Sequence, residues 1–127
     1  MSHILLAEDD GTMRVFLSKA LTRAGHRVTA VDDGLKALDE VMAGRFDLLI
    51  ADIVMPSLDG FQLAAKAKSH QPGLKVMFIT GFAAVTLSSR DGAPRALREA
   101  VGVDARILSK PFHLRDLVEE VDKILAA

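Results

Sequence analysis

Glu8, Asp9 and Asp52 are the residues of this chain best placed to do chemistry. Glu8 and Asp9 follow the run Ile4-Leu5-Leu6-Ala7, and Asp52 follows Leu48-Leu49-Ile50-Ala51. Each run is short, apolar and unbroken, as expected of a strand covered on both faces of a parallel sheet. In open α/β sheets, sites form outside the carboxyl ends of strands, where the strand order reverses. Two such ends would bring three carboxylates into one crevice. At an effective dielectric of about 20, two charges ~4 Å apart repel by roughly 4 kcal/mol. Such a cluster persists beside a cation, so it reads as a divalent-metal site in which one carboxylate reacts.

Two more side chains share that edge. Thr80 closes the apolar run Lys75 to Thr80, and Lys110, followed by Pro111, closes a weaker run from Ala105 to Ser109. Asp52, Thr80 and Lys110 thus end the third, fourth and fifth predicted strands. Their shared position is the argument, because each alone has an ordinary explanation. Asp52 could cap a turn before Met55-Pro56, Thr80 could close a strand, and Lys110 could be a solvated loop lysine.

The elements that must hold these residues alternate along the chain, the pattern of βαβ units. After the first strand, Met13, Phe16, Leu17, Ala20, Leu21 and Ala24 recur at helical spacing, with Asp10 as N-cap and Gly25 closing the helix. Arg27 to Val31 is a second strand. Asp33-Gly34 opens a helix carrying Ala37, Leu38, Val41 and Met42, closed by Gly44. Phe46 to Ala51 is the third strand, and Asp59 caps a helix to about Ser69, ended by Gln71-Pro72-Gly73. Leu114, Leu117, Val118, Val121 and Ile124 mark a final helix. Between Thr80 and Ala105 the pattern is irregular. An apolar stretch, Phe82 to Leu87, precedes a loop, Ser88 to Gly92, and Pro94 opens Arg95 to Val101. A broken or extended helix is expected there.

Composition narrows the classes. A chain of 127 residues with 16 basic and 17 acidic side chains is one domain with no charge excess to attract nucleic acid or a membrane surface. Absence of cysteine excludes disulfides, thiolate metal sites and thiol catalysis. No apolar stretch approaches the ~20 residues of a membrane helix, and a strand is expected directly after Met1-Ser2-His3, so a cytoplasmic domain is the expectation. His3, His26, His70 and His113 lack metal-ligand spacing and read as surface or packing residues.

Together, Leu6-Ala7-Glu8-Asp9-Asp10, Asp52-Ile53-Val54-Met55-Pro56 with Asp59-Gly60, Thr80-Gly81 and Lys110-Pro111-Phe112 make the chain resemble a response-regulator receiver domain of bacterial two-component signalling, along essentially its whole length. The resemblance implies an α/β, doubly wound, five-stranded parallel sheet of order 2-1-3-4-5 with five helices, the flavodoxin-like or CheY-like fold. The resemblance spans 1–127 and the last expected helix runs to Ala127, so one receiver domain without an output domain is the expectation. By position, Asp52 matches the phosphoacceptor. Glu8, Asp9, Asp52 and the Val54 backbone carbonyl match the Mg2+ site, with Asp9 the direct ligand and Glu8 acting through water. Thr80 and Lys110 match the pair that meets the phosphoryl group, and Lys110–Pro111 matches a bond commonly held cis. Ile107 stands where many receivers carry an aromatic switch residue, and the Thr80-to-Lys110 stretch is longer than usual by several residues.

The implied function is that of a stand-alone receiver, phosphorylated on Asp52 with Mg2+ by a histidine kinase or histidine phosphotransferase. Its state would switch an effector protein bound through the helix before the fifth strand, that strand and the last helix. The strings Leu5 to Asp10, Phe78 to Val85 and Leu108 to Pro111 are similar to the CpdR group of single-domain receivers, which implies ClpX of the ClpXP protease as an effector. A phosphotransfer intermediate or phosphate sink is the alternative. An enzyme is a weaker reading, since phosphohydrolases of the haloacid-dehalogenase type need an aspartate where Val54 stands. No catalysis beyond Mg-dependent autophosphorylation and autodephosphorylation is expected.

Overall fold

The computed structural model describes residues 2–80 and 106–126. Its strands are β1 (His3–Ala7), β2 (Arg27–Val31), β3 (Leu48–Asp52), β4 (Lys75–Thr80) and β5 (Arg106–Ser109). All pair in parallel, in the order β2-β1-β3-β4-β5. The helices among the described residues are α1 (Gly11–Arg23), α2 (Gly34–Ala43), α3 (Gly60–His70) and α4 (Leu114–Ala126). The expected helix between β4 and β5 falls on 81–105, so it and the positions Gly81, Phe82, Pro94 and Ala105 lie outside the described residues.

Alternate residues of each strand serve opposite faces, because the strand period is two. Leu5, Ala7, Leu49, Ala51, Val76 and Phe78 pack with Ala37 and Val41 of α2 and Leu63, Ala64 and Ala67 of α3. Ile4, Leu6, Leu48, Ile50, Met77 and Ile79 pack with Leu17 and Leu21 of α1 and Leu117, Val121 and Ile124 of α4. Burial on both sides is why the sequence shows continuous rather than alternating apolar runs.

Side-chain caps set the helix starts. Asp10, Asp33 and Asp59 each accept a hydrogen bond from the backbone N–H three residues on, at Met13, Lys36 and Gln62. Gly25, with φ at +99°, follows α1 in the left-handed conformation that favours glycine. Three residues at helical spacing do not join the core: Phe16 is 53%, Met42 61% and Leu114 39% exposed, because each lies at the solvent edge or start of its helix rather than over the sheet. The third strand begins at Leu48 rather than Phe46, whose backbone N–H donates instead to the Gln71 side chain at 3.1 Å.

The loop that follows Asp52 is fixed by close backbone approaches. A Cβ at Gly60 would stand 2.5 Å from the Asp52 carbonyl oxygen and 2.9 Å from the Ile53 Cα. The Gly60 N–H donates to the Ile53 carbonyl at 2.9 Å. The start of α3 therefore leans directly on the end of β3, a fit that only glycine permits.

Candidate functional site

The carboxyl ends of β1, β3 and β5 meet at one acidic pocket. One carboxylate oxygen from each of Glu8, Asp9 and Asp52 lies within 4.8 Å of the others. Glu8 is fully buried and Asp52 is 6% exposed, whereas Asp9 faces solvent. The Lys110 ammonium enters from the loop after β5 and donates to Glu8 Oε1 at 2.9 Å and to Asp52 Oδ2 at 3.1 Å. The second Asp52 oxygen, Oδ1, accepts from the Val54 N–H at 3.1 Å. Val54 itself projects outward and is 64% exposed at the rim.

Lys110 is carried to this point by the backbone. Its N–H donates to the Thr80 carbonyl at 2.7 Å, continuing the β4–β5 ladder by one bond, and the Lys110–Pro111 peptide is cis. Thr80 is fully buried at the end of β4. The Asp10 side chain, as expected, serves the helix, its Oδ1 accepting from the Met13 N–H.

The electrostatics show one ammonium shared by too many acids. Burial drives the Glu8 carboxyl up to about 7; Lys110 pulls it down, and neighbouring Asp52 pushes it up again. Burial pulls the Lys110 ammonium down, but its hydrogen bonds to Glu8 and Asp52 outweigh that, so its pKa is raised. Both directions hold together. Lys110 gains from two acids, while Glu8 has only a share of one cation against its own desolvation.

The donor chemistry fits a small hard cation. Three carboxylates are oxygen ligands of the kind Mg2+ takes, while it keeps several waters. Lys110 stands in for part of the positive charge such an ion would bring. Sequence reasoning missed Arg14, whose NH1 donates to the Glu8 carbonyl at 2.9 Å. The available signal was a cation in the first turn of α1, where the helix dipole disfavours positive charge. The cleft at the other edge, lined by Arg45, His70, Gln71 and Lys75, gathers no comparable set.

The family model described as the response regulator receiver domain matches residues 4–122. The chain belongs to this family. The receiver is 54% identical to the response regulator receiver protein CpdR of Brucella abortus, over 100% of this chain and 99% of that protein. It is 32% identical to the sensor kinase CckA of the same organism over 96% of this chain, which spans 12% of the kinase. A crystal structure of a response regulator receiver protein from Sinorhizobium medicae matches with a TM-score of 0.83 and 32% identity, covering 99% of this chain and 95% of that one. A two-component signalling module with the CheY-like sheet order is therefore what this receiver is. Among its described residues no helix is long and apolar enough to cross a membrane.

Proposed function

We propose that this receiver accepts a phosphoryl group on Asp52 in a Mg2+-dependent reaction and that the modification switches its binding to an effector protein. The observation that carries the reading is Lys110 bridging Glu8 and Asp52 in a pocket that Asp9 also bounds. Glu8, Asp9, Asp52 and the Val54 carbonyl would hold the metal, which would supply positive charge for the equatorial oxygens of the transferring group.

A carboxylate oxygen of Asp52 attacks the phosphorus of a phosphohistidine on a histidine kinase or phosphotransferase. The new O–P bond forms as the N–P bond breaks, and the imidazole leaves with that electron pair. Positioning and charge neutralisation are what phosphoryl transfer asks of a protein, and an aspartyl phosphate is an accepted product. Lys110 keeps its ammonium beside the added oxygens, and Thr80 supplies a hydroxyl from β4. Hydrogen bonds to charged groups contribute about 1.5–3 kcal/mol each, against roughly 5.5 kcal/mol to move a two-state equilibrium from 1:99 to 99:1. Two such bonds supply most of a switch.

The end-to-end similarity to CpdR, together with the resemblance to its group, makes ClpX the effector to test first. A relay or phosphate-sink role is the second reading, favoured by the similarity to CckA: receivers this alike can present a similar face to one phosphotransferase. Acetyl phosphate with and without Mg2+ tests the chemistry. A mass gain of one phosphoryl group that needs Mg2+ and is lost in Asp52→Ala supports it; an unmodified wild type, or equal labelling of the variant, refutes it. Capture of ClpX by one phosphorylation state only separates adaptor from relay.

A further inference from the structure

We infer that Arg14 is a positioning residue that sets the affinity of the acidic pocket for a divalent cation, by holding the peptide between Glu8 and Asp9. The inference rests on reading Glu8, Asp9 and Asp52 as a Mg2+ site. Its starting point is an asymmetry among the three acids. Lys110 fixes Glu8 and Asp52 from within, and Val54 adds a second bond to Asp52. Among the described residues, no donor holds the exposed Asp9 carboxylate. Among those residues, its place is set by its backbone alone.

That backbone is tied at few points. The Glu8 N–H donates to the Val31 carbonyl at 3.1 Å, one residue beyond the β1–β2 register. The Asp10 N–H donates to Glu8 Oε2 at 3.2 Å. The Glu8 carbonyl lies past the end of β1 and is taken by the Arg14 guanidinium, part-buried, at 2.9 Å. This last bond orients the peptide plane whose next Cα carries Asp9. Without it the loop can rotate about Glu8 and turn the Asp9 carboxylate away from Asp52.

The placement runs against simple electrostatics. A cation in the first turn of α1 opposes the helix dipole, α1 has no acid in that turn to offset it, and a positive charge near the pocket repels an incoming metal ion. Charge alone therefore predicts that removing Arg14 strengthens cation binding. Positioning predicts the reverse, so the sign of the change decides.

The test is calorimetric titration with Mg2+ alone at pH 8 on the full chain, for wild type, Arg14→Met and Arg14→Lys, beside the thermal midpoint of each without metal. Wild type is expected to bind, and Arg14→Met to bind about tenfold more weakly, the low end of the loss when an outer partner of a metal ligand is removed. Arg14→Lys keeps the charge on a side chain one atom shorter and is expected to fall between the two. The amide resonance of Asp9 should shift in both variants before any metal is added. Equal or tighter binding by a folded Arg14→Met overturns the proposal. Should that variant not fold, wild-type affinity in Arg14→Lys overturns it. A wild type that binds no Mg2+ instead defeats the metal-site reading itself, a separate and recognisable failure.

Discussion

Lys110 Nζ stands 2.9 Å from Oε1 of the fully buried Glu8, so among the described residues a carboxylate with no access to solvent is held by one ammonium and, at Oε2, by the Asp10 N–H. The same ammonium also serves Asp52. In this arrangement Lys110 would compete with a bound divalent ion for the same oxygens. Lys110→Met should bind Mg2+ several-fold more tightly than wild type in calorimetry at pH 8, since its three carboxylates are left without a cation. The variant should also lose its phosphorylated-state response, because the added oxygens lose their ammonium.

Glu8 makes the metal-free protein sensitive to pH in a direction opposite to the usual acid. Its folded pKa of about 7 lies above the unfolded value of 4.5, so between those values the folded state binds more protons. Stability from this group is then fully present below pH 4.5 and declines as pH rises toward and through 7. Urea unfolding without metal should show wild type losing stability relative to Glu8→Gln between pH 5 and pH 8. Saturating Mg2+ should remove that loss. A difference independent of pH would contradict the assignment.

Gly60 links the start of α3 to the carbonyl of Asp52. A methyl group there meets backbone at 2.5 Å, and backbone cannot step aside as a flexible side chain would. Gly60→Ala should cost about 1–3 kcal/mol of stability, as overpacking does, and should slow phosphorylation from acetyl phosphate by displacing Asp52. Gly73→Ala is the control. Nothing lies within 4 Å of its added carbon, so it should stay within about 0.5 kcal/mol of wild type.

Gln71 holds three backbone groups at the opposite edge of the sheet. Its amide nitrogen donates to the Val41 carbonyl at 2.8 Å and the Gly44 carbonyl at 2.7 Å, and its oxygen accepts from the Phe46 N–H at 3.1 Å. Gln71→Ala should lower stability by about 2 kcal/mol, given ~0.5–1.5 kcal/mol per hydrogen bond, while the rate of Asp52 labelling stays unchanged in folded protein. A slowed rate would show that this edge is coupled to the pocket.

The sequence announces most of this fold because its central strands, β1, β3 and β4, are covered on both faces and lead into charged or polar residues. β2 and β4 fall where their apolar runs place them, and the aspartate caps of α1, α2 and α3 are each visible as one letter before a helical pattern. Exposure within helices is less legible. Phe16 and Met42 satisfy the same spacing as Leu17 and Val41, and only the tilt of the helix on the sheet decides which pair is covered. The pocket's membership can be read from strand ends, but the division of labour cannot. Nothing in the adjacent letters of Glu8 and Asp9 says that one is sealed against a lysine and the other faces solvent. The main-chain bonds of Arg14 and Gln71 are hidden for a different reason, since each acts on backbone groups and leaves no spacing pattern; only the charge of Arg14 at a helix start hints at its bond.

The sheet has a consequence for how the domain tolerates change. It works as a partition between two separate apolar compartments, each roofed by its own pair of helices among the described residues. A packing fault on one side need not spread to the other. The three carboxylates, however, stand along the top of the partition itself. Their spacing inherits errors from either compartment, so the domain's chemistry should prove more sensitive to distant core substitutions than its overall stability does.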